Sequence, residues 1–256
     1  YPRPTLANFP MLYNSNNTGL MSGVVDGWGR YEGERPTGSG YAEESSYGPE
    51  VAFLWKYREA HPGERLAAVK CVLGGSGIGE WMPPPATSSL WPILAAMIDQ
   101  AKARIEAAGD TVEWAGLHWM QGENGASGTW AYLHPTKGQE YSDQLRTFLA
   151  AVRARTSPKM PVLIGRIGNH MLADNIIGTA SSGENTPENR RQATNHRRAQ
   201  QALVAADPGN ALVDTDGLPV QQTGDPQWWY HHTGAGYLAM GERFHAAFAA
   251  APRPVP

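Results

Sequence analysis

The stretch Thr111-Val112-Glu113-Trp114-Ala115-Gly116-Leu117-His118-Trp119-Met120-Gln121-Gly122-Glu123-Asn124 decides the fold. Its first ten residues read as a strand, and Gln121-Gly122-Glu123-Asn124 as the polar turn at that strand's carboxyl end. Two other polar segments stand in the same relation to an apolar run. Asn14-Ser15-Asn16-Asn17-Thr18-Gly19 follows a strand over Leu6 to Tyr13, and Gly74-Gly75-Ser76-Gly77-Ile78-Gly79-Glu80-Trp81 follows one over Leu66 to Leu73. His231-His232 comes after a fifth strand, Ala211 to Val213. Ligands of an open parallel sheet bind beyond the carboxyl ends of its strands. The four segments would therefore gather a serine, backbone N–H donors, an amide and an imidazole at one edge, the parts of a serine esterase.

Between the strands run longer segments of helical period, the pattern of a parallel sheet covered on both faces. Gly48-Pro49 opens a helix over Glu50 to Ala60, and a serine cap with Pro92 in the first turn opens another over Ser89 to Ala108. Leu145, Phe148, Leu149 and Val152 mark one buried face of a helix over Tyr141 to Thr156. Pro161 to Ile167 is the fourth strand, Thr186-Pro187 starts a helix running to Ala206, and Thr233 to Ala250 is the last helix. The near-continuous apolar run Leu66 to Leu73 implies burial on both faces of the second strand. Five strands with right-handed crossovers give a three-layer α/β/α sandwich on a five-stranded parallel sheet.

The 256 residues suit one large domain, 1–256, with no Pro/Gly/Ser-rich linker between two cores. Hydrophobic residues at 41% and charged ones at 18% exclude a disordered chain. A formal net charge of −3 gives no reason to expect nucleic acid as partner, and no run of about 18 apolar residues suggests membrane insertion. One cysteine, Cys71, forms no intrachain disulfide, and its apolar flanks make it a small buried hydrophobe. The first residue is Tyr1, and the Pro-rich tail Ala251 to Pro256 resembles a linker, so the sequence is compatible with a piece of a longer cell-surface or viral protein. The compartment stays open, with a secreted or extracellular setting favoured.

Ser15-Asn16-x-x-Gly19, Gly74-Gly75-Ser76-x-Ile78-x-Glu80-Trp81, Trp119-x-Gln121-Gly122-Glu123 and His231 with Gly236 resemble the ordered blocks of the SGNH (GDSL-type) hydrolases. The nearest branch is the sialate O-acetylesterase and acetyl xylan esterase-like carbohydrate esterases. The family has Gly-Gln before the serine where this chain has Tyr13-Asn14, and an acid three residues before the histidine where this chain has Trp228. The resemblance implies the flavodoxin-like SGNH fold and a metal-independent esterase that removes a small acyl group, most simply O-acetyl, from a carbohydrate. Alternatives are a catalytically silent carbohydrate-binding module of the same fold and an esterase for lipid or other small esters.

The roles implied are Ser15 as nucleophile, His231 as general base, and an oxyanion hole from the N–H of Ser15, the N–H of Gly75 and the side-chain amide of Gln121. Asp225, six residues before His231, is the first candidate for the triad acid, with Asp216, Asp214 and Glu123 as others. Glu123, Asn16 and His232 are candidates for support, His232 also being a rival base. Trp81, Trp228 and Trp229 offer indole faces for a sugar, although tryptophan is more often core. His118, inside the third strand, reads as packing. Arg190, Arg191, Arg197 and Arg198 read as a solvated helix face. No His-Glu-x-x-His or Cys-x-x-Cys spacing is present, so neither metal nor other cofactor is expected.

Overall fold

The computed structural model describes residues 10–13, 29–30, 48–73, 76–126, 138–172, 187–220 and 231–251. Six strands and six helices are described: β1 Pro10–Tyr13, β2 Gly29–Arg30, α1 Glu50–Ala60, β3 Ala68–Lys70, α2 Trp91–Ala107, β4 Leu117–Met120, α3 Glu123–Ala126, α4 Gly138–Arg155, β5 Val162–Gly165, α5 Pro187–Ala206, β6 Asn210–Val213 and α6 Gly234–Ala250. Single 3₁₀ turns follow β3 at Ile78–Trp81 and β5 at Asn169–Leu172.

The strands pair in two groups, β2-β1-β3 and β4-β5-β6. In the first, β3 runs parallel to β1 with Leu12 opposite Val69, and β2 is antiparallel. The second is wholly parallel, with Trp119 opposite Ile164 and Ile164 opposite Leu212. Among the described residues, then, the expected five-stranded parallel sheet is replaced by two three-stranded groups, one wholly parallel and one in which β1 and β3 are parallel and β2 is an unforeseen antiparallel member. Ladders of two to four residues give each sheet few backbone bonds, so side-chain packing carries the architecture.

Helices cover both faces of the second sheet. Alternate residues of β5 point to opposite sides, as a pleated strand requires. Val162 and Ile164 enter a core with Leu94 of α2, Leu145 and Phe148 of α4, and Leu203 of α5. Leu163 enters the other core, with Leu54 and Tyr57 of α1 and Met240 and Phe244 of α6. This is an α/β/α arrangement around β4-β5-β6. The apolar face predicted for α4 is there: Leu145 and Phe148 are 0% exposed, Leu149 3% and Val152 2%. Burying such side chains stabilises by about 1.5–3 kcal/mol each.

Three expectations are corrected. The second strand is only three residues long and half-buried throughout, because among the described residues it is bonded to β1 alone and Lys70 reaches back to Glu50 of α1, with Nζ to Oε1 at 2.6 Å. Helix α2 starts at Trp91 with Leu90 at the cap position and no side-chain cap; the fully buried Leu90 and its N–H donation to Glu80 O at 2.9 Å set the start instead of Ser89. Cys71 is half-buried rather than buried, although the desolvation it does suffer pushes its thiol up to about 12. His118 is packing as expected: its ring meets Phe53 edge-on at 4.0 Å and stacks on Phe244 at 5.1 Å, and burial pushes its pKa down to about 4. No helix among the described residues is long and apolar enough to cross a membrane.

Candidate active site

The segments that follow β3, β4, β5 and β6 supply the site. Gln121 ends β4. It is 8% exposed, and its Nε2 donates to Ser76 O at 3.1 Å, tying the segment after β4 to the glycine-rich loop after β3. Its Oε1 has no partner among the described residues. Gly122 has φ of 137°, a conformation open to glycine at little steric strain, and the chain turns there into the short α3. Glu123 opens α3. Burial raises its carboxyl above the ordinary value, opposed by its own backbone N–H.

The glycine-rich loop is held from within. Ser76 Oγ donates to Leu73 O at 2.8 Å and accepts from Trp81 Nε1 at 3.2 Å, while Glu80 Oε2 accepts the N–H of Gly77 at 2.7 Å. The serine, glutamate and tryptophan of that block thus have local structural work. Trp81, expected as a sugar platform, is 4% exposed and meets Trp119 edge-on at 5.4 Å; it is a core residue, packed among aromatic rings with its N–H bonded to Ser76 Oγ.

At the other end of the edge, His232 is 5% exposed and His231 half-buried. The backbone of His232 bridges to Val220, and its ring lies edge-on to His170 at 5.3 Å and Tyr237 at 5.8 Å. Burial, then the charge of His170, push His232 down to about 4, so it is neutral near pH 7. The close approach depends on Gly236: a Cβ there would sit 2.2 Å from Pro219 O. Thr233 caps α6 by accepting from the Gly236 N–H at 3.1 Å.

Asp214 and Asp216, alternatives for the triad acid, are engaged elsewhere. Arg197 grips Asp216 with two bonds, at 2.7 and 2.8 Å, and Arg166 bonds Asp214 at 2.6 Å and Asp216 at 2.8 Å. The Arg197 hydrogen bond heads the causes that hold the Asp216 carboxyl below its ordinary value. This corrects the solvated reading of Arg197, whose side chain is only 12% exposed; Arg191, paired with Glu188 three residues away, does lie at the surface. Ser15, Asn16, Gly75, Asp225, Trp228 and Trp229 lie outside the described residues.

Three residues near this edge were not singled out from the sequence: His170, Tyr141 and Gln200. Gln200 and His196 fall on the apolar stripe of α5 with Ala193 and Leu203, all four at most 3% exposed, and a polar side chain on such a stripe is the signal that marks them.

The family of carbohydrate esterases described as sialic acid-specific acetylesterases matches over residues 30–250. A search of curated proteins finds no match. Among solved structures, a carbohydrate acetylesterase from Xanthomonas citri superposes with TM-score 0.60 at 17% identity, covering 96% of this chain and 50% of that one, so this chain spans half the length of that relative. A candidate GDSL-like lipase from Parabacteroides merdae gives TM-score 0.51 at 12% identity over 96% of this chain and 98% of that one. Such identities speak to the fold alone, and the fold is that of the GDSL-like hydrolases. The match spans the glycine-rich loop, Gln121-Gly122-Glu123 and His231, and the chain belongs to the sialic acid-specific acetylesterase family of carbohydrate esterases.

Proposed function

We propose that this chain is a serine esterase that removes O-acetyl groups from a carbohydrate through an acyl-enzyme, within a single catalytic domain, 1–256. The observation that carries the reading is the bond from Gln121 Nε2 to Ser76 O. It sets an amide beside the glycine-rich loop that would supply the second oxyanion donor, on a rigid strand end. Both are needed on one side of the reacting carbonyl.

In this mechanism Ser15 Oγ attacks the acetyl carbonyl while His231 takes the hydroxyl proton. The oxyanion is held by the N–H of Ser15, the N–H of Gly75 and the second N–H of Gln121 Nε2. Collapse breaks the bond to the sugar oxygen, which leaves with the proton from His231. Water then attacks the acetyl-enzyme, again with His231 as base, releasing acetate and restoring Ser15. Asp225 orients the imidazole. The burial of His232 against His170 supports His231 as the base, since a base must shuttle protons near neutral pH and His232 is held neutral down to about 4. Trp228 and Trp229 offer the sugar platform that Trp81 does not.

The test is hydrolysis of 4-nitrophenyl acetate by the chain and by Ser15→Ala, with chelator present. Turnover that disappears in Ser15→Ala, followed by acetate release from acetylated xylan or O-acetyl sialic acid, is expected. Equal turnover by both proteins would overturn the serine mechanism. Absent turnover by both would replace it with a silent carbohydrate-binding module.

A further inference from the structure

At the carboxyl ends of β4 and β5, one buried side chain meets the backbone carbonyls of Gln121 and Gly165. Gln200 of α5 is 0% exposed. Its Nε2 donates to Gln121 O at 3.0 Å and Gly165 O at 3.3 Å, with Tyr141 Oη at 3.4 Å, while its Oε1 accepts the N–H of Ile167 at 3.1 Å. Tyr141 of α4, also 0% exposed, donates its hydroxyl to the same Gln121 O at 2.9 Å. The backbone of Gln121 thus receives two donors from two helices, and its side-chain tip is bonded to Ser76 O. Gly122 closes the cradle: a Cβ there would meet Ile167 Cγ2 at 3.0 Å and Gln200 Nε2 and Tyr141 Oη at 3.4 Å.

We propose that Tyr141 and Gln200 are positioning residues for the oxyanion amide of Gln121. The inference rests on the reading of Gln121 given above. An oxyanion donor works only when it already stands where negative charge will develop, so the backbone that carries it must not drift. A glutamine side chain has three rotatable bonds. Fixing its tip on Ser76 O and its carbonyl on Tyr141 and Gln200 leaves the second N–H of Nε2 in one place. A packed apolar pair at 141 and 200 would fill the same space, but it would leave the Gln121 and Gly165 carbonyls buried without these donors.

Tyr141→Phe removes one hydroxyl and keeps the ring, so it separates positioning from packing. The experiment measures kcat and KM for 4-nitrophenyl acetate in Tyr141→Phe, Gln200→Met, Gln121→Ala and the double variant Tyr141→Phe/Gln121→Ala. Gln121→Ala should lose about a hundredfold or more in kcat, as removal of one oxyanion donor does. Tyr141→Phe and Gln200→Met should each lose roughly tenfold in kcat, with KM changed less than about twofold, since slight misplacement costs less than removal. In the double variant the Tyr141 change should have no further effect on kcat, because the amide it positions is gone. Unchanged kcat in Tyr141→Phe, or losses that multiply in the double variant, would reduce the network to a structural one and overturn the proposal. Full activity in Gln121→Ala would instead overturn the oxyanion role of Gln121, and this inference with it. Should Gln200→Met not fold, the Tyr141 cycle decides alone.

Discussion

Gly236→Ala is the sharpest probe of how the carboxyl edge is held together. The added Cβ would stand 2.2 Å from Pro219 O and 3.1 Å from His232 Cβ, where ordinary contact begins at 3.4 Å. Its first obstacle is backbone, which no rotamer change can move aside. The first turn of α6 must back away from residue 219 by about 1 Å, and the backbone bond from the Thr233 N–H to Pro219 O, 3.0 Å long, goes with it. Overpacking of this kind costs about 1–3 kcal/mol, partly offset by up to about 1 kcal/mol of alanine helix propensity. A net loss of about 1–2 kcal/mol is expected. The functional effect should be larger. His231 lies five residues before Gly236, on the strand-like segment that the bridge from His232 to Val220 anchors. A shift of about 1 Å at a catalytic group can cost about a hundredfold in rate. Urea unfolding and kcat for 4-nitrophenyl acetate, measured on the same preparation, read the two effects separately. A Gly236→Ala protein with wild-type kcat and wild-type stability would refute both the close approach and the placement of His231 beside it.

Two further outcomes follow from the partly buried ion pairs and from a histidine packed in the core. Asp216→Asn should lower stability at pH 7 by about 1–2 kcal/mol, between the scale of an exposed ion pair and that of a buried one, because the pair is partly exposed and Arg166 keeps Asp214. The Asp216 carboxyl is held below the ordinary 3.8, so its contribution is present above that pH and lost as pH falls through the depressed value. Urea midpoints from pH 5 to pH 2 should therefore fall less steeply in Asp216→Asn, and parallel slopes would count against the network. His118 titrates at about 4 in the fold against 6.5 unfolded, so it favours the folded state above pH 6.5 and loses that contribution as pH falls toward 4. Between pH 7 and pH 5 this removes about 2 kcal/mol, and His118→Phe should flatten that part of the profile. An unchanged profile would mean that His118 is not buried as a neutral ring.

What the sequence made legible was what local spacing encodes. The apolar period of α4 and the proline at the start of α5 each predicted an element to within a few residues, because helices bury one face and begin where an unsatisfied N–H is absent. The glycine-rich loop and Gln121-Gly122-Glu123 read as a candidate site because their composition suits a strand end near a ligand better than it suits a core, and the structure brings the two together through the bond from Gln121 to Ser76. Three things escaped. The run Leu66 to Leu73 looks like a strand buried on both faces, yet apolar content cannot distinguish a central strand from one with a single neighbour, and among the described residues β3 pairs with β1 alone. Arg197 looks like one of four surface cations until Asp216, nineteen residues on, is folded against it. Gln200 looks like one glutamine of a Gln-Gln pair, whereas its neighbour Gln201 is exposed and it alone is buried. In each case the deciding partner lies across the fold rather than along the chain. The same holds within the active site: motif blocks identify the groups that would touch substrate, but the residues that hold them still sit on distant helices and carry no motif of their own. Tyr141 and Gln200 are of this second kind, and their placement at the Gln121 carbonyl is where tertiary structure adds chemistry that spacing alone does not contain.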